Sequence, residues 1–207
     1  MRRAAGLWYA FGAVALIAIW EGFVRWRNVR RFVLLKPSEI VSTFVDDPGF
    51  YLSHVAVTAR HLGLGVAISL AVSVVIGAAL AAWRPLEAAA QPLLVLIMVT
   101  PWVAYITSIV LWLGSGDPSI VFLVAFVTLP AFTFAMVAGL RSADAAASEV
   151  LASVDASGWE VLWRLRLPSA LPTLFASARF NVGLALAAAY FVEGGNLSNS
   201  GLGAIGK

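Results

Sequence analysis

The sequence predicts an all-α membrane protein, a polytopic bundle with five membrane-spanning helices. Of its 207 residues, 61% are hydrophobic and only 12% are charged, whereas charged residues make up about a quarter of an average soluble domain. The apolar residues also fall into long runs without charge. Several of these runs approach the roughly 20 residues that an α-helix needs to cross the hydrocarbon core of a bilayer.

Five apolar segments are predicted to span the membrane, within a single domain over residues 1–207. They cover residues 7–24, 64–83, 92–113, 119–140 and 171–192. The first has tryptophans near its ends, and tryptophan is enriched where a membrane helix meets the membrane–water interface. No small-x-small cleavage motif follows it, so we expect a retained helix rather than a signal peptide. Pro37, Ser38 and Glu39 then indicate a short surface helix before the second span.

Small residues and prolines mark individual spans. Ser69, Ser73, Gly77 and Ala81 recur every four residues, a stripe that lets a second helix approach closely. Pro101 and Pro130 each remove a backbone donor within a predicted span and favour a bend there. Two interpretations stay open for these bends, since pathway-lining helices and ordinary packing kinks both tolerate them.

Arg179 and Asn181 place polar groups inside the fifth span. A charge at the bilayer centre costs about 2.5–3.5 kcal/mol on insertion scales, so Arg179 should face protein or water. It either holds an anionic solute or makes an internal tie that fixes helix packing. With Pro101 and Pro130, these two residues are the predicted pathway positions. Glu193, at the end of the same span, is interpreted as interfacial.

A polar segment, residues 141–170, separates the last two spans. Its first part is rich in alanine and favours a helix. Ser157 followed by Glu160 has the form of a capping box and predicts a second helix from Gly158 or Trp159. That helix should end ahead of Pro168. A helix-turn-helix outside the lipid indicates docking to a soluble partner, with anchoring to the membrane surface as the alternative.

The spacing in this segment resembles the signature of the membrane subunits of binding-protein-dependent ABC importers. That signature reads Glu-Ala-Ala, three residues, Gly, nine residues, Ile, one residue, Leu-Pro. Asp155 stands at the Gly position, and Asp enters left-handed backbone conformations more readily than most residues. The resemblance implies ATPase-coupling residues at Glu149, Val150, Leu151, Asp155, Ala156, Ser157, Gly158, Trp159, Leu165, Leu167 and Pro168.

Other segments resemble the nitrate, sulfonate and taurine group of that family. They are Leu35–Glu39, Leu111–Asp117, Arg179 with Gly183–Leu186, and the turn Gly201–Gly203. Members of the family usually carry a sixth helix after this turn. Whether the sequence is a truncated form stays open.

The resemblance implies a permease subunit of an ATP-driven importer in the cytoplasmic membrane. Its expected partners are ATP-binding subunits on the 141–170 segment, an extracytoplasmic solute-binding protein and a second permease subunit, expected to be identical. The expected solute is a small anion such as nitrate, a sulfonate or taurine, or else a vitamin precursor. The family places the 141–170 segment in the cytoplasm. Counting basic residues in the loops does not decide the orientation.

Several chemistries are not expected. The chain has no cysteine, and His54 and His61 lack the i, i+4 spacing of a two-histidine metal site. We therefore expect no metal, cofactor or catalytic residue, with ATP hydrolysis on a separate subunit. The basic residues lie in loops, where they favour lipid headgroups over nucleic acid. Two alternatives remain, a secondary transporter or small channel, and a truncated relic of the permease family that transports nothing.

Overall fold

A computed structural model describes the backbone of residues 2–206 and their side chains, apart from those of residues 2–5, 196 and 197. Within that part of the chain all regular structure is helical, which confirms the all-α prediction. Two compact units are present, Met1–Leu52 and Ser53–Lys207, and each is described by itself. The single-domain assignment stays a prediction.

The first unit contains two helices, α1 (Arg2–Trp26) and α2 (Pro37–Asp46). Pro37 occupies the first turn of α2, where its missing amide proton is not needed. The carboxylate of Glu21 accepts hydrogen bonds from the main-chain amide of Ser38 at 3.0 Å and from its hydroxyl at 2.8 Å. These bonds join α1 to the beginning of α2, the short helix predicted after Pro37.

The helix α3 (Pro48–Ala82) begins in the first unit and continues into the second. The second unit holds the remaining helices: α4 (Arg84–Val99), α5 (Val103–Leu113), α6 (Asp117–Arg141), α7 (Ala145–Ser153), α8 (Gly158–Val161), α9 (Leu167–Val192) and α10 (Leu202–Ile205). Two π-helical turns, Leu162–Arg166 and Glu193–Leu197, precede and follow α9.

The core of the second unit is built around α6. Alanines on α9 are completely buried against it, and they let the two helix backbones approach closely. The main core cluster combines residues of α5, α6 and α9: Ile109, Ile120, Leu123, Val124, Val127, Ala185, Ala188, Ala189 and Val192.

The small-residue stripe on α3 also faces α6. Ser69 and Ser73 are buried, as is Gly77. A Cβ atom added to Gly77 would lie only 2.5 Å from Cγ of Met136 on α6. This confirms the close helix approach that the stripe predicts, because no larger residue fits at Gly77 without a shift of its neighbours.

Four helical segments are long and apolar enough to span a membrane within the described part of the chain: Gly6–Trp26, Pro48–Ala82, Asp117–Arg141 and Gly158–Gly195. The predicted span at 92–113 is not one helix, which corrects the sequence-based assignment. Instead α4 and α5 meet at a bend of 102°. Pro101 lies at this break, where it can supply no amide proton. A fifth span is reached only if this bent pair counts as one.

Candidate functional site

The 141–170 segment begins at a paired arginine. The guanidinium of Arg141, the last residue of α6, donates to both carboxylate oxygens of Glu87, at 2.9 and 2.6 Å. It also lies 3.5 Å from the main-chain oxygen of Leu80. The start of the segment is thereby held to the beginning of α4 and the end of α3.

Asp144 starts the first helix of the segment. Its carboxylate accepts a hydrogen bond from the main-chain amide of Ala146 at 2.9 Å, which makes Asp144 the N-cap of α7. N-cap side chains of this kind satisfy amides that have no partner inside the helix. The boundary of α7 is therefore fixed by its own sequence.

Asp155 ends that helix in a left-handed conformation. Its φ is +52°. The amide of Ala156 donates to the carbonyl of Leu151 at 3.0 Å, and the amide of Asp155 donates to that of Ala152 at 3.1 Å. These two bonds define a Schellman motif, which usually has Gly where Asp155 stands. The signature glycine position thus has the backbone of a glycine although it carries an aspartate.

A capping box starts the second helix, as the sequence predicts. The amide of Glu160 donates to the hydroxyl of Ser157 at 3.3 Å, and the amide of Ser157 donates to the carboxylate of Glu160 at 3.0 Å. The regular α-helix covers only Gly158–Val161 and passes through the π-helical turn into α9. Pro168 therefore does not end the helical chain but lies in the first turn of α9.

The base of the segment is packed on the membrane helices. Leu162 and Leu167 contact a cluster of buried residues formed by Met136, Leu140 and Ala170. Met136 and Ala170 are completely buried. The second helix of the segment is therefore packed directly on α6 and α9.

The tip of the segment carries exposed apolar side chains. Val150 is 65% exposed and Val154 is 68% exposed, and Glu149 beside them is also exposed. Trp159 and Trp163 are exposed as well and contact each other edge to face, with ring centroids 5.4 Å apart. Exposed apolar groups of this kind mark interaction sites for proteins or membrane surfaces.

The structure places the predicted coupling residues on this one segment. Glu149, Val150 and Leu151 lie on α7, and Asp155, Ala156 and Ser157 form the turn. Gly158 and Trp159 lie on α8, Leu165 lies on the π-helical turn, and Leu167 and Pro168 begin α9. Their role in coupling stays a prediction.

The predicted pathway residues do not form one group. Pro130 is buried inside the continuous helix α6. Arg179 is exposed on α9. Asn181 is buried and lines a cavity of about 120 Å³ that also reaches Thr100 and Trp102, on either side of Pro101. Of the four positions, the structure brings together Asn181 and the break at Pro101.

A buried cluster of polar side chains was not predicted from the sequence. The carboxylate of Glu193 accepts hydrogen bonds from the hydroxyl of Thr58 at 2.8 Å and from the amide of Gly203 at 3.1 Å. Its other oxygen lies 2.8 Å from Nδ1 of His61. Both Glu193 and His61 are completely buried. Glu193, interpreted from the sequence as interfacial, is therefore enclosed by protein.

Charged residues flank this cluster at the beginning of α6. The second ring nitrogen of His61, Nε2, lies 3.1 Å from the carboxylate of Asp117, which also pairs with Arg60. A usable signal was present in the sequence, because His54, Thr58 and His61 are spaced i, i+4 and i+7 and so share one helix face. The cluster lies at the opposite end of α6 from Arg141 and the 141–170 segment.

The helical fold and the apolar spans define an all-α, multi-pass membrane protein, in which an exposed helix-turn-helix follows the end of α6. The model of the family described as binding-protein-dependent transport system inner membrane component matches residues 63–204. The chain belongs to this family and is a permease of the binding-protein-dependent ABC importer type in the cell membrane. Such permeases are transport subunits that work with ATP-binding and solute-binding partners.

The chain is also similar in sequence to individual transport permease proteins. The chain is 30% identical to the riboflavin transport system permease protein RibX of Chloroflexus aurantiacus, over 96% of this chain and 76% of that protein. It is 28% identical to the formylaminopyrimidine transport permease protein ThiX of Halalkalibacterium halodurans, over 91% of this chain and 75% of that protein. It is 22% identical to the taurine transport system permease protein TauC of Escherichia coli, over 82% of this chain and 64% of that protein.

Proposed function

We propose that the chain forms the solute pathway of an ATP-driven importer as one half of a homodimer, and that ATP-binding subunits dock on its 141–170 segment. One observation carries the proposal. The base of the segment is packed on buried residues of α6 and α9 through Leu162 and Leu167. Its tip, by contrast, exposes Val150 and Val154.

This arrangement suits mechanical coupling. When the ATP-binding subunits close on ATP, a force on the tip passes along α8 and the π-helical turn into α9, because these segments are continuous. The Arg141–Glu87 pair holds the other end of the segment to α4. Closure thereby changes the relative positions of α4, α6 and α9, the helices that line the cavity at Asn181.

The cytoplasmic side of the membrane then holds the 141–170 segment. The cluster around Glu193 lies at the other end of α6 and faces the side where a solute-binding protein delivers its cargo. Helix α6 has 25 residues, about 37 Å at 1.5 Å per residue, enough to cross the hydrocarbon core. The two ends of α6 would therefore lie at opposite surfaces of the membrane.

The transported solute belongs to one of two chemical classes suggested by the relatives. The name of TauC specifies taurine, a small molecule with an anionic sulfonate group and an ammonium group. The names of ThiX and RibX specify formylaminopyrimidine and riboflavin, which are nitrogen heterocycles.

Co-purification tests the docking. The chain is expressed with its ATP-binding subunits, and the fraction retained after affinity purification is measured for Val150→Asp and Val154→Asp. Each change places a charge in an apolar contact and should reduce retention at least tenfold. Val45→Asp is the matched control, since Val45 is also 65% exposed but lies on α2. Equal retention of all three variants and wild type would refute docking at this tip.

A further inference from the structure

The cavity beside Asn181 has features of a binding site. It measures about 120 Å³ and lies between the break joining α4 to α5 and the helices α6 and α9. Asn181 is only 4% exposed. Its amide nitrogen donates to the hydroxyl of Ser177 at 3.1 Å. Its carbonyl oxygen accepts no hydrogen bond from the described residues and remains available to a ligand.

Residues of the helix break line the same cavity. The amide of Thr100 donates to the carbonyl of Leu96 at 3.0 Å, and α5 begins only at Val103. Within the described chain, the carbonyls of Ile97 and Met98 and the amide of Trp102 make no backbone hydrogen bond. Such groups are tolerated at membrane depth where they are buried in protein or line a cavity that offers them partners.

The lining of the cavity is uncharged. It consists of Ile97, Met98, Thr100, Trp102, Val127, Ala131, Asn181 and Leu184. Arg179 lies two residues before Asn181, which places it about 200° around the helix, on an exposed surface. A sulfonate in this cavity would be a buried charge without a partner, which is strongly unfavourable. The cavity therefore selects against a small anion.

The volume and the aromatic wall favour a single ring. A protein cavity of about 150 Å³ accommodates benzene, so a cavity of about 120 Å³ admits at most a single planar ring. Trp102 lines the cavity and is held by an edge-to-face contact with Phe191, with ring centroids 5.6 Å apart. A ring with nitrogen atoms can use the free amide and carbonyl groups and also contact the indole.

We propose that this cavity is a subsite for an uncharged, nitrogen-containing aromatic ring of pyrimidine size, bound through the Asn181 side chain and the backbone groups of the helix break. The inference rests on the proposed function, in which the chain forms the solute pathway. It assigns the transported solute to the heterocycles rather than to the sulfonates.

Equilibrium binding of two radiolabelled probes tests this subsite. The permease is purified with its ATP-binding subunits in lipid nanodiscs, without the solute-binding protein, and incubated with 4-aminopyrimidine or with taurine. The wild type should bind 4-aminopyrimidine saturably and should not bind taurine. Asn181→Leu keeps a similar volume but removes the hydrogen-bonding group, and should weaken binding at least tenfold.

Two further variants separate recognition from folding. Ala131→Leu fills the cavity while the Asn181 side chain is retained, and should also abolish binding. Phe180→Leu changes the neighbouring residue, which is 84% exposed, and should leave the affinity for 4-aminopyrimidine within twofold of wild type. If Ala131→Leu binds 4-aminopyrimidine as well as wild type, the ligand does not occupy this cavity and the inference is overturned.

The outcomes also distinguish this inference from the proposed function. Wild-type particles that retain ATP-binding subunits but bind no 4-aminopyrimidine, or bind taurine instead, overturn the subsite alone. Loss of the ATP-binding subunits during purification counts against docking. In that case, binding of the probes to the permease by itself still tests the cavity.

Discussion

Nδ1 of His61 lies 2.8 Å from a carboxylate oxygen of Glu193, and both side chains are completely buried. The same carboxylate accepts hydrogen bonds from the Thr58 hydroxyl and the Gly203 amide. These contacts join α3 to the end of α9 and to α10. A buried carboxylate with three partners stabilises a fixed arrangement, because a buried polar group that loses its acceptor is costly.

Glu193→Leu should destabilise the protein strongly. The change leaves the His61 ring, the Thr58 hydroxyl and the Gly203 amide buried without their acceptor, and each buried polar group left unsatisfied costs about 1–3 kcal/mol. The measurement is the midpoint of thermal unfolding in detergent, monitored as loss of the monodisperse peak in size-exclusion chromatography. Asp46→Leu, at an exposed carboxylate on α2, is the control. Equal midpoints for both variants would show that the cluster contributes nothing to stability.

Gly77→Ala should also destabilise, in contrast to Gly63→Ala on the same helix. A Cβ at Gly77 would lie 2.5 Å from Met136 Cγ, whereas a Cβ at Gly63 has nothing within 4 Å. Overpacking of this kind costs about 1–3 kcal/mol. At Gly63 the better helix propensity of alanine should stabilise by up to about 1 kcal/mol. Denaturation by SDS measures the stability of both variants relative to wild type. A Gly77→Ala variant more stable than wild type would contradict the close α3–α6 packing.

Asp155→Gly should tighten the turn in the 141–170 segment. The φ of +52° suits glycine without strain, and the gain should be about 1 kcal/mol. Asp155→Val should have the opposite effect, since a β-branched residue is strongly disfavoured there. Amide hydrogen exchange in α7 measures the difference. Exchange should be slower than wild type in Asp155→Gly and faster in Asp155→Val. Identical exchange in the two variants would mean that the Schellman turn does not limit opening of α7.

The Arg141–Glu87 pair should contribute only modestly to stability. Its two side chains are 41% and 29% exposed, and partly exposed pairs contribute about 0.2–1 kcal/mol. A double-mutant cycle with Arg141→Gln and Glu87→Gln measures the coupling in the free energy of unfolding. Arg141→Lys should lose part of it, because a lysine cannot reproduce the two parallel hydrogen bonds. A coupling energy of zero would show that the pair does not join α6 to α4.

Features that depend on neighbouring residues could be predicted from the sequence. Ser157 and Glu160 predict their capping box, and Asp155 at a glycine position predicts its turn, because these structures are decided within a few residues. The long apolar runs predict the helices for the same reason. Pro101 predicts a bend in the third span, but the 102° angle between α4 and α5 depends on tertiary packing.

Features that join distant segments could not be predicted in the same way. Glu193 and His61 are 132 residues apart in the chain, and neither residue alone indicates that the other will lie beside it. Similarly, Asn181 indicates a polar position in a span, but the uncharged cavity exists only because the broken helix packs beside α9. Burial of a polar residue is a property of the fold as a whole rather than of its own helix.

Crosslinking from the tip of the 141–170 segment tests the central claim most directly. The chain has no cysteine, so Val154→Cys introduces a single thiol on the exposed surface beside Asp155. The variant is produced with its ATP-binding subunits, and a short thiol-reactive photocrosslinker is activated in intact membranes. We predict a crosslink to an ATP-binding subunit and no labelling of the thiol by impermeant reagents outside the cell. Labelling from outside, or a cytoplasmic thiol that captures no ATP-binding subunit, would contradict the account.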